Sequence, residues 1–406
     1  MAWRLKRGLS TRKGKRNNKN NKREMYNKIV TGSEDNRTHM RLTVTRDDLL
    51  KVLSVVSSVV ERRQANAVLT HVLVSAGDGE IVLTGTDLEL EVVARCPAEV
   101  QEPGKVTVPG RKFLDIVRAL PGESILRCEL EAGRFRVAMA KSRYQLATLP
   151  VEDFPNLLDV QWDTEFSVSR GDFRRAIEKT QFCMAQQDVR YYLNGVMLEM
   201  VGTALKAIAA DGHRLALCAM ETGCGFTGER QVIVPRKAVA ELARFLGDGS
   251  APITISLSAN HIRVAQDNVV FVSKLVDGRF PDYHRVIPQT VKYEVGLPRG
   301  AVLEMLGRVG VVSTEKFRGI RLRFQGATLA ASATNTDRDE AWEELELPGP
   351  VPDLEIGFNV TYLVEAIGAL EEGEFLFGWN DSNGGVRLKA GASGDNQVYV
   401  VMPVRL

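Results

Sequence analysis

Apolar positions along this chain change period in a repeating order. In "RLTVTRDDLLKVLSVVSSVV", beginning at Arg41, apolar and polar residues first alternate. Then Leu49, Leu50, Leu53, Val56 and Val60 recur at three- and four-residue spacing. The first pattern predicts a strand and the second an amphipathic helix with one face packed on a sheet. Farther on, "HVLVSAGDGEIVLTGTDLELEVVARC" alternates on both sides of Gly77-Asp78-Gly79. That spacing and turn chemistry predict a hairpin. "SILRCELEAGRFRVAMAKSRYQLATL" does the same around Ala132-Gly133.

The order then repeats. "EFSVSRGDFRRAIEKTQFCM" from Glu165 and "KYEVGLPRGAVLEMLGRVGVV" from Lys292 have the shape of the segment at Arg41. A second phrase, "VTVPGRKFLDIVRALPG" at residues 106–122, returns as "VIVPRKAVAELARFLGDG" from Val232. It returns more loosely as "LEIGFNVTYLVEAIGALEEG" from Leu354. Phe154-Pro155 and Phe280-Pro281 stand 126 residues apart. Residues 40–406 therefore divide into three copies of about 122 residues, since self-similarity at a fixed period marks a repeat architecture. We expect an α+β fold of three tandem domains at 40–160, 161–290 and 291–406. Each is built from two strand-helix-strands half-units, with two helices against a mostly antiparallel sheet. The joins are "VEDFPNLLDVQWDTE" and "DYHRVIPQTVKYE", short acidic and Pro-containing linkers.

Composition adds little to this until charge is placed along the chain. The 406 residues are 44% apolar and 26% charged, an ordinary globular balance. No window approaches about 18 uninterrupted apolar residues, so no membrane span or membrane partner is predicted. The five cysteines are scattered without a C-x-x-C pair, which points to reduced thiols rather than a zinc site or disulfide framework. The net charge of +2 hides a division: residues 1–39 hold twelve Lys or Arg against three Asp or Glu, leaving −7 for the rest. This leader, with "TRKGKRNNKNNKR", buries too little apolar surface to offset its ordering entropy, and we expect it disordered. We read it as an expression leader or upstream-extended start, with Met40 the natural first residue.

Although residues 40–406 are acidic, their predicted helices carry bases on the polar face. These are Lys51, then Arg111, Lys112 and Arg118, then Arg174, Arg175 and Lys179, then Arg236, Lys237 and Arg244, then Arg299 and Arg308. Bases repeated over equivalent helices suit contact with phosphate independent of base identity. The sixth helix, "NVTYLVEAIGALEEG", has none.

Six segments, "GTDLELEVVAR", "QDVRYYLNG", "ADGHRLAL", "SKLVDGRFPDY", "EKFRGIRL" and "YVVMPVRL", together closely resemble the bacterial DNA polymerase III beta subunit family, the replicative sliding clamps. The resemblance runs in order from Met40 to Leu406. It implies DNA-clamp domains, with one chain forming half of a closed ring: a homodimer of three-domain protomers, helices lining the hole. It further implies a non-catalytic processivity subunit, with no metal and no cofactor. Such a ring encircles double-stranded DNA and tethers the replicative polymerase catalytic subunit. It also receives the clamp loader, other polymerases and repair proteins through short linear motifs, in the cytoplasm and at the nucleoid. DNA-binding positions carry over to Arg63, Arg111, Gln187, Tyr191 and Tyr192, with one of the two tyrosines expected in the core. The partner-peptide cleft carries over to Leu193, Gly212, His213, Arg214, Leu215, Pro281, Arg285, Val286, Val400, Met402, Pro403, Val404 and Arg405. Ala210 and Val404 stand where relatives often have Thr and Met. The dimer interface carries over to Tyr144 and Leu146 against Val311 and Val312.

Two other readings compete. Cys183, His213 and Asp211 could form a thiol triad, but nothing marks the cysteine as a nucleophile. "ETGCGFTGER" lacks the Gly-Lys-Ser/Thr of a phosphate loop and reads as a turn, and Asp337, Asp339 and Glu340 read as a solvated strand edge. A DNA-binding protein that does not encircle its target is the second alternative.

Overall fold

The computed structural model describes residues 39–61, 65–155, 160–313, 318–391 and 396–405. Arg63 and all of the basic leader except His39 lie outside the described residues. The chain divides into two compact units, one of residues up to Val160 with Asn268–Val272, the other of Gln161–Asp267 with Ser273–Leu406.

Six helices appear where the 3.6-residue pattern predicts them: α1 (Arg46–Val56), α2 (Gly110–Ala119), α3 (Arg170–Glu178), α4 (Arg236–Leu246), α5 (Arg299–Val309) and α6 (Val360–Ala369). Each buries a stripe, such as Leu49, Val52, Leu53 and Val56 on α1 or Phe113, Leu114 and Val117 on α2. Leu50 is only half-buried, and Val60, expected on this helix, is buried beyond its end. Thr45, Ser169 and Asn359 cap α1, α3 and α6 through side-chain oxygens. Pro109, Pro235 and Pro298 precede α2, α4 and α5, where a fixed φ suits helix entry.

In the first unit an antiparallel sheet runs Glu99–Glu102, Met40–Thr45, Ile125–Glu131, Arg134–Met139, Ser142–Ala147. A second set runs Gly104–Pro109, His71–Gly77, Glu80–Thr86, Leu90–Pro97. Asp78 and Gly79 both have positive φ, 48° and 77°, as do Ala132 and Gly133. These are the tight hairpin turns that the Gly-containing dipeptides predict.

In the second unit eight strands form one sheet, in the order Arg230–Pro235, Gly195–Val201, Ala204–Ala210, Arg214–Glu221, Gln397–Val401, Val386–Ala390, Glu374–Trp379, Tyr293–Pro298. Its centre joins two sequence repeats, because Arg214–Cys218 pair antiparallel with Gln397–Val401. A four-stranded sheet runs Glu340–Glu346, Thr328–Thr334, Gly319–Gln325, Leu354–Asn359. Strands Ser142–Ala147 and Glu340–Glu346 each end their sheets.

The three-fold repeat extends to individual hydrogen bonds. α1 packs on α2, α3 on α4 and α5 on α6. The first helical residue of each pair is an arginine that reaches the far end of the partner helix. Arg46 Nε and Nη2 donate to Val117 O (3.0 Å) and Arg118 O (2.8 Å). Arg299 Nε and Nη2 donate to Ile367 O (3.0 Å) and Gly368 O (2.7 Å), and Arg170 Nη2 donates to Asp248 O (2.8 Å). The Arg46 and Arg299 guanidinium groups thus satisfy carbonyls that the helix end leaves open and oppose their partial negative charge, whereas Arg170 reaches a carbonyl two residues past the end of α4. Arg299→Met should lower unfolding free energy by about 2 kcal/mol, two charge-assisted bonds being lost. Arg118→Met, on an exposed position, should change it by less than about 0.5 kcal/mol. Urea titration of both variants checks the contrast.

Candidate functional site

Burial and pairing separate the bases that the helical pattern groups together. Arg174 is paired with Glu178 (2.7 Å) and with Asp248, and Arg175 with Glu371. Lys179 donates to Ala369 O, and Arg236 to Met184 O (3.0 Å). Arg308 holds Glu343 through two bonds (2.9 and 2.6 Å). With Arg299 on helix carbonyls, these side chains also fasten elements of the second unit, although Arg308 stays exposed, so the bases are unevenly available, in keeping with the expectation of an imperfect pattern. Arg111, Lys112, Arg118 and Lys51 are exposed. Arg111 also donates to Val60 O at 3.3 Å.

Gln187, Tyr191 and Tyr192 lie on one loop that its own polar groups hold. Arg190 grips Asp188 through Nε (3.0 Å) and Nη2 (2.8 Å), which holds the Asp188 carboxyl down to about 2. Asn194 closes the loop with bonds to Asp188 N (3.1 Å) and O (2.9 Å). Gln187 is exposed in the left-handed region, φ 54°. Tyr191 is exposed beside Gly278, and Tyr192 packs on the core, so one tyrosine of the pair is structural, as expected.

The next residue, Leu193, is the first of those that the resemblance assigns to a peptide cleft. With Leu215 and Val400 it forms a buried apolar floor, brought together because Leu215 faces Val400 across the strand pair. Of the other apolar residues that the resemblance assigns to this region, Val286 (43%), Met402 (36%) and Val404 (36%) are exposed. Met402 N donates to His213 O (2.8 Å) and Val404 N to Gly357 O (2.9 Å), which fixes the final segment, including Pro403 and exposed Arg405. Gly212 has φ 89°, a backbone conformation that favours glycine, and the Arg190 guanidinium lies 2.9 Å from where a Cβ would stand. His213 stacks on Tyr362, ring centroids 5.9 Å apart. Arg214 bonds Asp211 and Phe182 O, and Ala210 is half-buried against the core cluster.

Arg285 ends the turn Tyr283–Arg285, with Pro281 shortly before it and Val286 just after, and the turn is anchored through Tyr283. Buried Glu199 accepts from Tyr283 Oη (2.6 Å), Lys206 Nζ (2.8 Å) and Gln231 Nε2 (2.8 Å). Burial pushes the Glu199 carboxyl up, but these three donors outweigh it and leave it below the usual range. Sequence reasoning missed Arg190, Asp188, Asn194 and this anchor. Arg190 lies inside "QDVRYYLNG" and was open to discovery, whereas the three partners of Glu199 are distributed over three elements.

The thiol triad does not form. Cys183 is buried, which pushes its thiol up, and Asp211 is occupied by His213 N (2.9 Å), Arg214 N (3.0 Å) and the Arg214 side chain. Gly223 and Gly228 take positive φ in the glycine-rich turn, and Asp337 and Asp339 lie on a hairpin turn bonded by Asn335. Among the described residues no group of three or more His, Cys, Asp or Glu could hold a metal ion. No helix among them is long and apolar enough to cross a membrane.

Comparison with known proteins decides the family. Family profiles for the DNA polymerase III beta subunit match its N-terminal domain at residues 40–158, its central domain at 167–282 and its C-terminal domain at 284–405. The chain belongs to the DNA polymerase III beta subunit family. The beta sliding clamps of Pseudomonas aeruginosa and Escherichia coli K12 are each 43% identical over 368 residues, covering 90% of this chain and 100% of theirs. The crystal structure of a sliding clamp from Pseudomonas aeruginosa bound to griselimycin is 42% identical. It superposes with a TM-score of 0.87 over 90% of this chain and 100% of that one. Family membership accounts for the triplication: the three profiles meet the three copies of the strand-helix phrase in order.

Proposed function

We propose that this chain is half of a replicative sliding clamp, a non-catalytic processivity subunit. Two copies close head to tail around duplex DNA, tether the replicative polymerase catalytic subunit, and admit the clamp loader, other polymerases and repair proteins to the cleft over Leu193, Leu215 and Val400. The observation that carries this reading is the match of all three family domains, in order, from residue 40 to residue 405.

Two features support ring closure. Ser142–Ala147 and Glu340–Glu346 end their sheets, and an open sheet edge is a template for another strand. Their charges are opposite: Arg143 on the first, with Lys141 in the turn just before it, and Glu340, Glu343, Glu344 and Glu346 on the second. Joining two different edges is a heterologous contact, which makes a ring when the rotation closes. Tyr144 is half-buried and Leu146 is buried in its own unit, so Tyr144 and the backbone of that strand are what the partner meets.

The DNA contacts fit a ring that slides. Exposed Arg111, Gln187 and Tyr191 offer phosphate bonding and stacking without base readout, and weak salt-sensitive contact permits movement. Retention is then topological, and the polymerase gains from effective concentration. The protein works in the cytoplasm, at the nucleoid during replication.

The test is topological. Clamp loaded on nicked circular DNA by its loader should survive a high-salt wash and be released when the circle is linearised. Equal loss from circle and line overturns the ring and favours ordinary nonspecific binding.

A further inference from the structure

The resemblance assigns Arg214 to the peptide cleft, yet its guanidinium is turned into the protein. The side chain is 9% exposed. Nε donates to Asp211 Oδ2 (3.1 Å), Nη2 to Phe182 O (2.7 Å), and Nη1 to Glu365 on α6. Its Cζ also lies 4.4 Å from the Tyr362 ring centroid and 5.4 Å from that of Phe182. All three nitrogens are therefore engaged before any ligand arrives. Asp211, the first partner, accepts from His213 N and Arg214 N through its other oxygen, so it shapes the turn that carries Gly212 and His213. Glu365 and Tyr362 belong to the third sequence repeat and Arg214 to the second. Tyr362 also stacks on His213.

We propose that Arg214 and Glu365 form a latch between the second and third repeats that holds the His213 turn at the distance a peptide needs. Arg214 is a positioning residue, not a peptide contact, and Glu365, which the resemblance leaves unassigned, is its necessary counterpart. The latch removes an ordering cost that would otherwise fall on binding. A planar fork is required, because one cation must meet three acceptors in different directions between two rings. Positive charge offered to a ligand at the cleft then comes from Arg285, 85% exposed, and from exposed Arg405.

This inference rests on the cleft reading above, and the experiment separates the two. Griselimycin affinity is measured by calorimetry on the full-length protein, wild type, Glu365→Gln, Arg214→Lys and the double variant. Each single change should weaken binding about tenfold, and the double no further, since coupled residues are non-additive. Thermal unfolding and salt-resistant retention on nicked circular DNA should stay as in wild type for Glu365→Gln, a substitution at a half-exposed carboxylate. If Arg214→Lys weakens binding while Glu365→Gln does not, Arg214 touches the ligand and the latch is wrong. Losses that add in the double variant overturn it as well. Failure of wild type to bind griselimycin overturns the cleft reading, and the latch with it.

Discussion

A chain carrying Val311→Asp and Val312→Asp should sediment as a folded monomer at micromolar concentration, where the parent chain should sediment as the proposed dimer. Val311 is 80% exposed, in the short turn Gly310–Val312 that ends α5 and touches the edge strand Glu340–Glu346. An exposed valine beside an open strand edge has its apolar surface in water until a second chain covers it. Covering it contributes about 1.5 kcal/mol or more per side chain. A carboxylate placed there instead has no partner, and burying it costs several kcal/mol more. The glutamates at 340, 343, 344 and 346 add like-charge repulsion. Together these shift the dimer dissociation constant upward by about a thousandfold or more, each 1.4 kcal/mol being tenfold. The fold itself should tolerate both changes, because neither valine is in the core and surface substitutions cost about 0.5 kcal/mol or less. A dimer that persists at micromolar concentration, seen by sedimentation velocity, sinks this interface. The same variant should be lost from nicked circular DNA in high salt.

Lys206→Met should cost about 3 kcal/mol of stability and reverse the pH dependence that Glu199 contributes. In the parent, Glu199 is 2% exposed and its carboxylate is held by Lys206, Tyr283 and Gln231. Removing one partner of a buried ion pair leaves an uncompensated charge, which is worth about 3 kcal/mol or more. The sign of the pH effect follows from the direction of the shift. The parent carboxyl titrates below its unfolded value of about 4.3, so its contribution is fully present above that pH and is lost as pH falls through the folded value. Without Lys206 only Tyr283 and Gln231 still oppose burial, which should then prevail and push the carboxyl up. The variant then loses stability as pH rises from about 4 toward neutrality, where the parent has already gained it. Urea titrations across that range distinguish the two curves, and parallel curves would remove Lys206 from the account. The turn Tyr283–Arg285 stands on this network, so peptide binding at the proposed cleft should weaken alongside stability.

Much of the fold was readable because its signals are local. Period-two alternation, a turn dipeptide such as Asp78-Gly79, or a stripe such as Phe113, Leu114 and Val117 needs only neighbours within about one helical turn or one hairpin. The segments "QDVRYYLNG" and "YVVMPVRL" carried the loop and the last strand of the cleft. The helical bases show where that reading stops. Arg174 meets Glu178 one turn farther along α3, but its second partner Asp248 and the partner of Arg175, Glu371, lie 74 and 196 residues away. Nothing within α3 distinguishes an arginine that fastens the fold from one that faces solvent. The arginine at the head of α1, α3 and α5 was visible as a repeat, while its task of capping the partner helix depends on helix pairing that periodicity does not contain.

The sequence by itself determined the element order, the three-fold repeat, the apolar face of each helix and the family, since these rest on spacing and on residue identities in short runs. Only the tertiary structure decided which cations are spent inside the protein and how the cleft is built. Its floor takes Leu193, Leu215 and Val400 from positions up to 207 residues apart, and the register of Arg214–Cys218 on Gln397–Val401 sets them side by side. Burial then turns Glu199 and Arg214 from ordinary charged residues into structural ones. A charge removed from water must find its partners, and those partners are chosen by the packing of distant segments.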